Sequence, residues 1–165
     1  MFIRRSTFKE RGDKIIKGFT LVEIVIVLSI VAILTFITFI SFLVLNKTQA
    51  LDEQTKSIVS VIERARSLTL GAKDDTPYGV HFETTKIVLF KGNTYVPINP
   101  SNITENLNYL TTLSLISLTG STSNIVFSRL WGSVSATGTV RLSLKSNNLA
   151  SSTVIIYDSG LTEVK

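Results

Sequence analysis

The segment GFTLVEIVIVLSIVAILTFITFISFLVL occupies residues 18–45 and is the most apolar part of a 165-residue chain. After Glu23 it runs for 22 residues without a charged residue, proline or glycine. As an α-helix these residues would reach about 33 Å, which is enough to cross the hydrocarbon core of a bilayer. We therefore expect one membrane-spanning segment, with its uncharged part at residues 24–45.

Basic residues are concentrated before this segment. The chain has a net charge of +5, and residues 1–18 account for +4 of it through six basic and two acidic residues. Lys47 is the only basic residue close to the other end. The positive-inside rule then places the amino end in the cytoplasm and residues 46–165 outside. A basic terminal segment followed by a nearly neutral remainder does not indicate a nucleic-acid-binding surface.

Two ordinary explanations compete for the apolar segment. A secretory signal peptide has an apolar region of about 7–15 residues and a small-residue cleavage site. Here the region is longer, and only Thr48-Gln49-Ala50 offers such a site. A plain single-pass anchor agrees with the hydropathy as well as any other explanation does. The residues just before the apolar run separate these possibilities.

At this junction a basic leader ends in Gly18, Phe19 follows, and a lone carboxylate, Glu23, stands five positions after the glycine. Gly18 has no side chain, so its backbone can approach the catalytic groups of a protease closely. An ionised carboxylate at membrane depth costs free energy, so we expect a compensating partner for Glu23. By position alone, a turn glycine and a glutamate at headgroup depth are the alternatives.

The pattern resembles the cleavage and methylation signal of type IV pilins and type II secretion pseudopilins. The resemblance implies that prepilin peptidase cuts after Gly18 and methylates the new amine of Phe19. It also implies that Glu23 pairs with that amine on a neighbouring subunit during filament assembly.

The residues beyond the membrane segment predict one helix followed by strands. Apolar residues recur at helical spacing between residues 46 and 70, and no glycine or proline occurs from residue 19 to residue 70, so we expect one helix that stops at Gly71. A coiled coil is the alternative for its apolar stripe. Short apolar runs between turn residues follow, and these are typical of strands. Strands are expected at residues 79–82, 87–90, 95–98, 113–118, 125–127, 139–144 and 153–157, with turns at residues 83–86, 92–94, 147–148 and 158–160.

The expected fold class is α+β and pilin-like: one long N-terminal α-helix, membrane-spanning in its first half, packed on an antiparallel β-sheet domain. The expected divisions are a leader (1–18), a transmembrane and filament-core half of the helix (19–45), an amphipathic half (46–70) and an extracytoplasmic sheet domain (71–165). The order of elements from residue 56 onward resembles the GspH/FimT-type minor pseudopilins and pilins. The chain ends in Leu-Thr-Glu-Val-Lys, however, without the arginine-rich finish of the members that bind DNA.

Trp131, in Ser-Arg-Leu-Trp-Gly, is the most prominent side chain among the remaining candidates. We expect it to be a core tryptophan that covers the sheet. The alternative is contact with a partner protein or with single-stranded DNA by stacking, beside Arg129. Arg129, Arg141 and Lys145 would make at most a weak basic patch, because phosphate tracks need clustered charge.

Metal, cofactor and catalytic sites are not expected. His81 is the only histidine, the chain has no cysteine, and the adjacent acids Asp74 and Asp75 lack the spacing of a calcium loop. No phosphate-binding glycine loop or nucleophile elbow occurs, so the protein is expected to be an enzyme's substrate and not an enzyme.

The resemblance therefore implies a structural subunit, with a minor one favoured, in the bacterial inner membrane and then in a type IV pilus or type II secretion pseudopilus. The expected partners are other pilin or pseudopilin subunits, prepilin peptidase, the inner-membrane assembly platform and, before assembly, the lipid bilayer. A DNA-binding subunit at a pilus tip and an unprocessed membrane-anchored β domain are the alternatives.

Overall fold

The computed structural model describes residues 18–165, except for the side chains of residues 39–45. Residues 1–17 of the predicted leader lie outside the described residues. The first element is a 50-residue helix, α1 (Leu21–Leu70). It begins two residues later than the absence of glycine and proline suggested, because Thr20 acts as its N-cap: the amide of Glu23 donates to Thr20 Oγ1 at 3.2 Å.

The helix ends where the sequence predicted, immediately before Gly71. The amide of Gly71 donates to the Ser67 carbonyl at 2.9 Å, and the left-handed residue that turns the chain is the next one, Ala72, with φ 47°. A short 3₁₀ turn (Lys73–Asp75) leads into the first strand.

Eight strands follow the helix and form two antiparallel sheets. In chain order they are β1 (Tyr78–Glu83), β2 (Lys86–Lys91), β3 (Ile103–Asn106), β4 (Thr111–Leu118), β5 (Asn124–Val126), β6 (Gly138–Leu144), β7 (Asn147–Ile156) and β8 (Thr162–Val164). The first sheet has the order β3-β2-β1-β5, and the second has the order β4-β6-β7-β8. A second 3₁₀ turn (Thr119–Ser121) joins β4 to β5.

The core lies between one face of the second half of α1 and the inner faces of the two sheets. Ile58, Ile62 and Ala65 are fully buried on the helix. Their spacing of four and three residues places them on one side of the helix. The sheets contribute Val80, Phe82, Ile87, Leu89, Leu113, Ile125, Phe127, Val140, Leu142, Val154 and Ile156 to the same cluster. This arrangement confirms the predicted α+β class.

The strand predictions were correct for six of the seven segments and wrong for residues 95–98. Pro97 has no amide proton to donate to a ladder. The ring of Tyr95 lies instead on the outer face of the first sheet, stacked on His81 with centroids 3.9 Å apart. The predicted turn at residues 147–148 was also wrong, because the β6–β7 turn is at residues 145–146 and Asn147 already belongs to β7.

Three further features were absent from the prediction. The strands β3 and β8 were missed because they are short edge strands with mostly polar, exposed residues. The expected single sheet is in fact two sheets. Its division depends on pairings such as β4 with β6, which lie far apart in sequence and leave no local pattern.

Candidate functional site

The bond between Gly18 and Phe19 lies outside regular secondary structure, just before α1. Both residues are exposed, and Phe19 has 78% of its surface accessible. Among the described residues, no heavy atom beyond the adjacent residue lies within 4 Å of the position that a Cβ on Gly18 would occupy. On its side-chain side, the backbone at this bond is therefore not covered by any other described part of the chain.

Thr20 and Glu23 form the start of the helix. They are spaced as Thr-x-x-Glu, a capping-box pattern, and the Glu23 amide uses the Thr20 hydroxyl as its acceptor. An anionic side chain in the first turn is favoured by the helix dipole by about 0.3–1 kcal/mol. Thr20 was not predicted as a functional position, although its spacing from Glu23 was the signal that could have identified it.

Glu23 is exposed, and no ion pair involves it in the part of the chain that the structure describes. It lies in the first turn of α1, inside the 18-residue window Leu21–Thr38, whose mean hydropathy is 2.8. A carboxylate in that position can accept a further cation without breaking an existing ion pair among the described residues.

The first part of α1 is apolar on all sides. None of the residues Leu21–Thr38 is buried, and by length and composition the helix could cross a membrane. A helix that is apolar all round requires lipid or other apolar helices as its surroundings. Its hydroxyl groups are compatible with such surroundings: Ser29 donates to the Val25 carbonyl at 2.7 Å, and Thr35 to the Val31 carbonyl at 2.7 Å.

Residues 14–39 match the family model described as the prokaryotic N-terminal methylation motif. The amino end of this chain carries a type IV pilin-like prepilin signal. A motif of this type implies processing by prepilin peptidase and assembly with other pilins in general. Together with the apolar helix it fits a single-pass inner-membrane protein with a structural role. Searches of the curated proteins and of the solved structures gave no significant match.

Trp131 is not a core residue, and that expectation was wrong. It is 80% exposed, and its neighbour Leu130 is 84% exposed. The reason is a tight loop between β5 and β6, in which the Gly132 amide donates to the Ser128 carbonyl at 2.8 Å and Gly132 has φ +64°. Glycine adopts that φ without strain, and the loop projects residues 129–131 away from the core.

Arg129 lies on the same loop, but its guanidinium is paired with the carboxylate of Asp75. Arg141 is exposed on β6, and Lys145 lies in the turn after that strand. The structure therefore places the three predicted basic residues on separate elements, with one of them already neutralised.

The acids Asp74 and Asp75 hold the turn between α1 and β1. Asp74 accepts a hydrogen bond from the Tyr78 hydroxyl at 2.8 Å and pairs with Lys91 at 3.1 Å. The hydroxyl of Tyr78, followed by Lys91, holds the pKa of Asp74 below its ordinary value. Burial, followed by the bond to Asp74, raises the pKa of Tyr78. Asp74 and Asp75 both have positive φ, and the carboxylate of each is engaged by a side chain from another element.

His81 belongs to a polar and aromatic cluster on the outer face of the first sheet. It is hydrogen-bonded to Asn124, and its Nε2 lies 3.3 Å from Glu83 Oε1. Tyr95 stacks on its ring at an angle of 14°. No group of three potential metal ligands occurs among the residues described.

Proposed function

We propose that the protein is a pilin-like subunit, of the minor type, that is cleaved after Gly18, N-methylated at Phe19 and assembled through its N-terminal helix into a type IV pilus or type II secretion pseudopilus. The observation that carries the proposal is the methylation motif at residues 14–39, which overlaps an exposed apolar helix. The resemblance of residues 56–165 to GspH/FimT-type proteins supports the minor assignment.

In this proposal Gly18 and Phe19 are the processing site. Hydrolysis of the peptide bond between them releases the leader, residues 1–18, with a new carboxylate and leaves a free amine on Phe19. A methyl group is then transferred to this amine from a sulfonium methyl donor, which leaves as a thioether while the amine loses one proton. The exposed, non-helical backbone at this bond supports the assignment, since a protease needs an extended substrate. The positive leader remains on the cytoplasmic side, where it sets the orientation of the precursor.

Glu23 is the assembly residue. In the bilayer its carboxylate lies near the positive end of the helix dipole. When the subunit enters a filament, the carboxylate pairs with the methylated amine of Phe19 on a neighbouring subunit. The apolar helix at residues 19–45 then exchanges lipid contacts for contacts with other helices. This half of the helix becomes the filament core, and residues 71–165 form the outward domain.

The test of processing is the intact mass and first residue of the protein purified from its native membrane. We expect a chain that begins at N-methylated Phe19. Gly18→Ile should retain the leader, because a branched Cβ hinders close approach of the backbone to the protease. Thr20→Ser, which keeps the helix cap, is the control and should still be processed. A chain beginning at Met1 in cells with an active prepilin peptidase would leave the unprocessed, membrane-anchored domain as the correct interpretation.

The exposure of Trp131 favours one second candidate, a tip subunit that binds single-stranded DNA by stacking. Arg129, on the same loop, is paired with Asp75, so such binding would rely on stacking more than on phosphate contacts from Arg129.

A further inference from the structure

An open cavity of about 750 Å³ lies beside β5, the edge strand of the first sheet. Its size is in the range of small-molecule sites. Among the described residues the lining contains no charged side chain, and it combines apolar side chains with hydroxyl and amide groups, the latter from Asn93, Thr94, Thr119, Thr122, Ser133 and Ser135. We refer to this cavity as the β5 groove.

Three of these hydroxyl groups are fixed in place by the backbone. Thr119 Oγ1 accepts from the amide of Thr137 at 3.0 Å, and Thr122 Oγ1 accepts from the amide of Asn124 at 3.1 Å. Ser135 Oγ accepts from the amide of Val126 at 3.0 Å.

Each of these oxygens is thereby held in one position, and each hydroxyl still has its own proton to donate. Within residues 18–165 none of the three donates to a protein acceptor. The groove therefore presents a set of oriented donors, which is the arrangement that fixes a polar ligand with little loss of side-chain freedom.

The groove does not favour an added peptide strand. Ser123 and Phe127 bond to β1 through their backbones, so the alternate residues Asn124 and Val126 direct their amides away from the sheet. Those two amides are already taken by the hydroxyls of Thr122 and Ser135. A strand laid along β5 would find these donors occupied.

An anionic ligand is also disfavoured. A second cavity of about 450 Å³ shares Asn93, Phe127 and Ser128 with the first and extends the groove toward Leu130. Among the described residues, Arg129 is the one charged side chain in its lining, and it is paired with Asp75. Neither part offers a free cation to a phosphate, sulfate or carboxylate.

From this chemistry we propose that the β5 groove binds a neutral, polyhydroxylated ligand, an uncharged oligosaccharide segment. Sugar hydroxyls both donate and accept, so they can use the free O–H groups of Thr119, Thr122 and Ser135 and the unengaged amide of Asn93. The two connected cavities suit a chain of several sugar units better than a single sugar.

The test is NMR of the full-length protein in detergent micelles, titrated with maltohexaose, cellohexaose and chitohexaose. At least one of these neutral probes should shift resonances of the groove residues, with binding in the range of about 1 mM or tighter. The double variant Asn93→Ala/Ser133→Ala should weaken this binding by about tenfold or more, because it removes two hydrogen-bonding groups. Neither side chain has a hydrogen bond in the described part of the chain, so the fold should be unaffected.

The matched control is Asn106→Ala/Ser146→Ala, which makes the same two changes on exposed residues away from the groove and should bind like the unmodified protein. The absence of groove shifts with every neutral probe at about 10 mM would overturn the proposal. So would equal binding by the two double variants. Stronger binding of oligogalacturonate or of oligothymidylate in the groove would show that the ligand class is anionic and the proposal wrong.

Discussion

At the scale of single residues, the chain uses its few charged side chains to hold turns. Asp74 illustrates this, since its carboxylate joins Tyr78 and Lys91 and belongs to a residue with φ 56°. The adjacent pair Asp74-Asp75 lies in the turn between α1 and β1. The partners that engage these acids come from β1, β2 and the loop after β5, so the sequence could not identify them.

Asp74→Asn should lower the melting temperature near neutral pH. It should also make the melting temperature less dependent on pH in the acidic range. The pKa of Asp74 is lowered in the folded state, so its contribution is present above the ordinary value of 3.8 and is lost as the pH falls through the lower folded value. Asparagine tolerates positive φ, so the substitution tests the charge more than the backbone. The measurement is the melting temperature of the full chain in detergent near pH 7, about pH 5 and about pH 3.

The control for this experiment is Asp158→Asn, because no side-chain hydrogen bond or ion pair of Asp158 occurs in residues 18–165. We expect the melting temperatures of the unmodified chain and of Asp74→Asn to converge as the pH falls below about 3.8. A constant difference across the range would show that Asp74 acts through packing and not through its charge.

At the scale of elements, local patterns identified α1 and most strands, because periodicity and turn residues are written in neighbouring positions. They did not identify the role of the segment between β2 and β3. Tyr95 occurs in a run that alternates like a strand, yet its ring covers His81 and packs against Phe90 at 5.6 Å between centroids. Only tertiary packing distinguishes a strand from such a covering loop.

Tyr95→Ala should loosen the loop of residues 92–102 and destabilise the protein. An aromatic pair contributes about 0.5–1.5 kcal/mol beyond its buried area. Hydrogen exchange in this loop and in β1 should increase, and the melting temperature should fall, whereas Tyr95→Phe should retain most of the stability. Tyr109→Ala is the control, since Tyr109 is 79% exposed and no ring contact involves it in the described chain. Equal effects of the two alanine variants would contradict a covering role for Tyr95.

At the scale of the whole molecule, two regions of the chain have opposite surfaces. Residues 21–38 expose apolar side chains on every side, whereas a buried apolar core forms only from residue 50 onward in the described part of the chain. The sequence predicted this contrast, because the apolar run is continuous and the later apolar residues are periodic, but it did not predict the exposure of Trp131. The β5 groove was not predicted, since its hydroxyls come from separate stretches of the chain whose approach depends on the fold.

Because residues 21–38 expose apolar side chains on every side, the carboxylate of Glu23 lies among apolar surroundings, and we predict that it is needed for assembly. If the carboxylate compensates the amine of a neighbouring subunit, Glu23→Ala should leave that amine without a partner in a filament core, where an uncompensated charge costs about 2.5–3.5 kcal/mol or more. Processing should be unaffected, because the cleaved bond lies five residues earlier. We therefore expect Glu23→Ala to accumulate as mature, methylated protein in the membrane and to be depleted from sheared filaments.

Glu53→Ala removes an exposed carboxylate from the same helix beyond the apolar window and should enter filaments normally. Intact-mass spectrometry identifies the mature, methylated form in the membrane and filament fractions, and a peptide common to all variants measures the total protein in each, so that processing and assembly are separated. Normal incorporation of Glu23→Ala would show that Glu23 only favours the start of the helix, where Thr20 already caps it. Loss of the methylated form would instead show that the processing enzyme recognises Glu23, because a residue that is needed only after processing cannot alter processing.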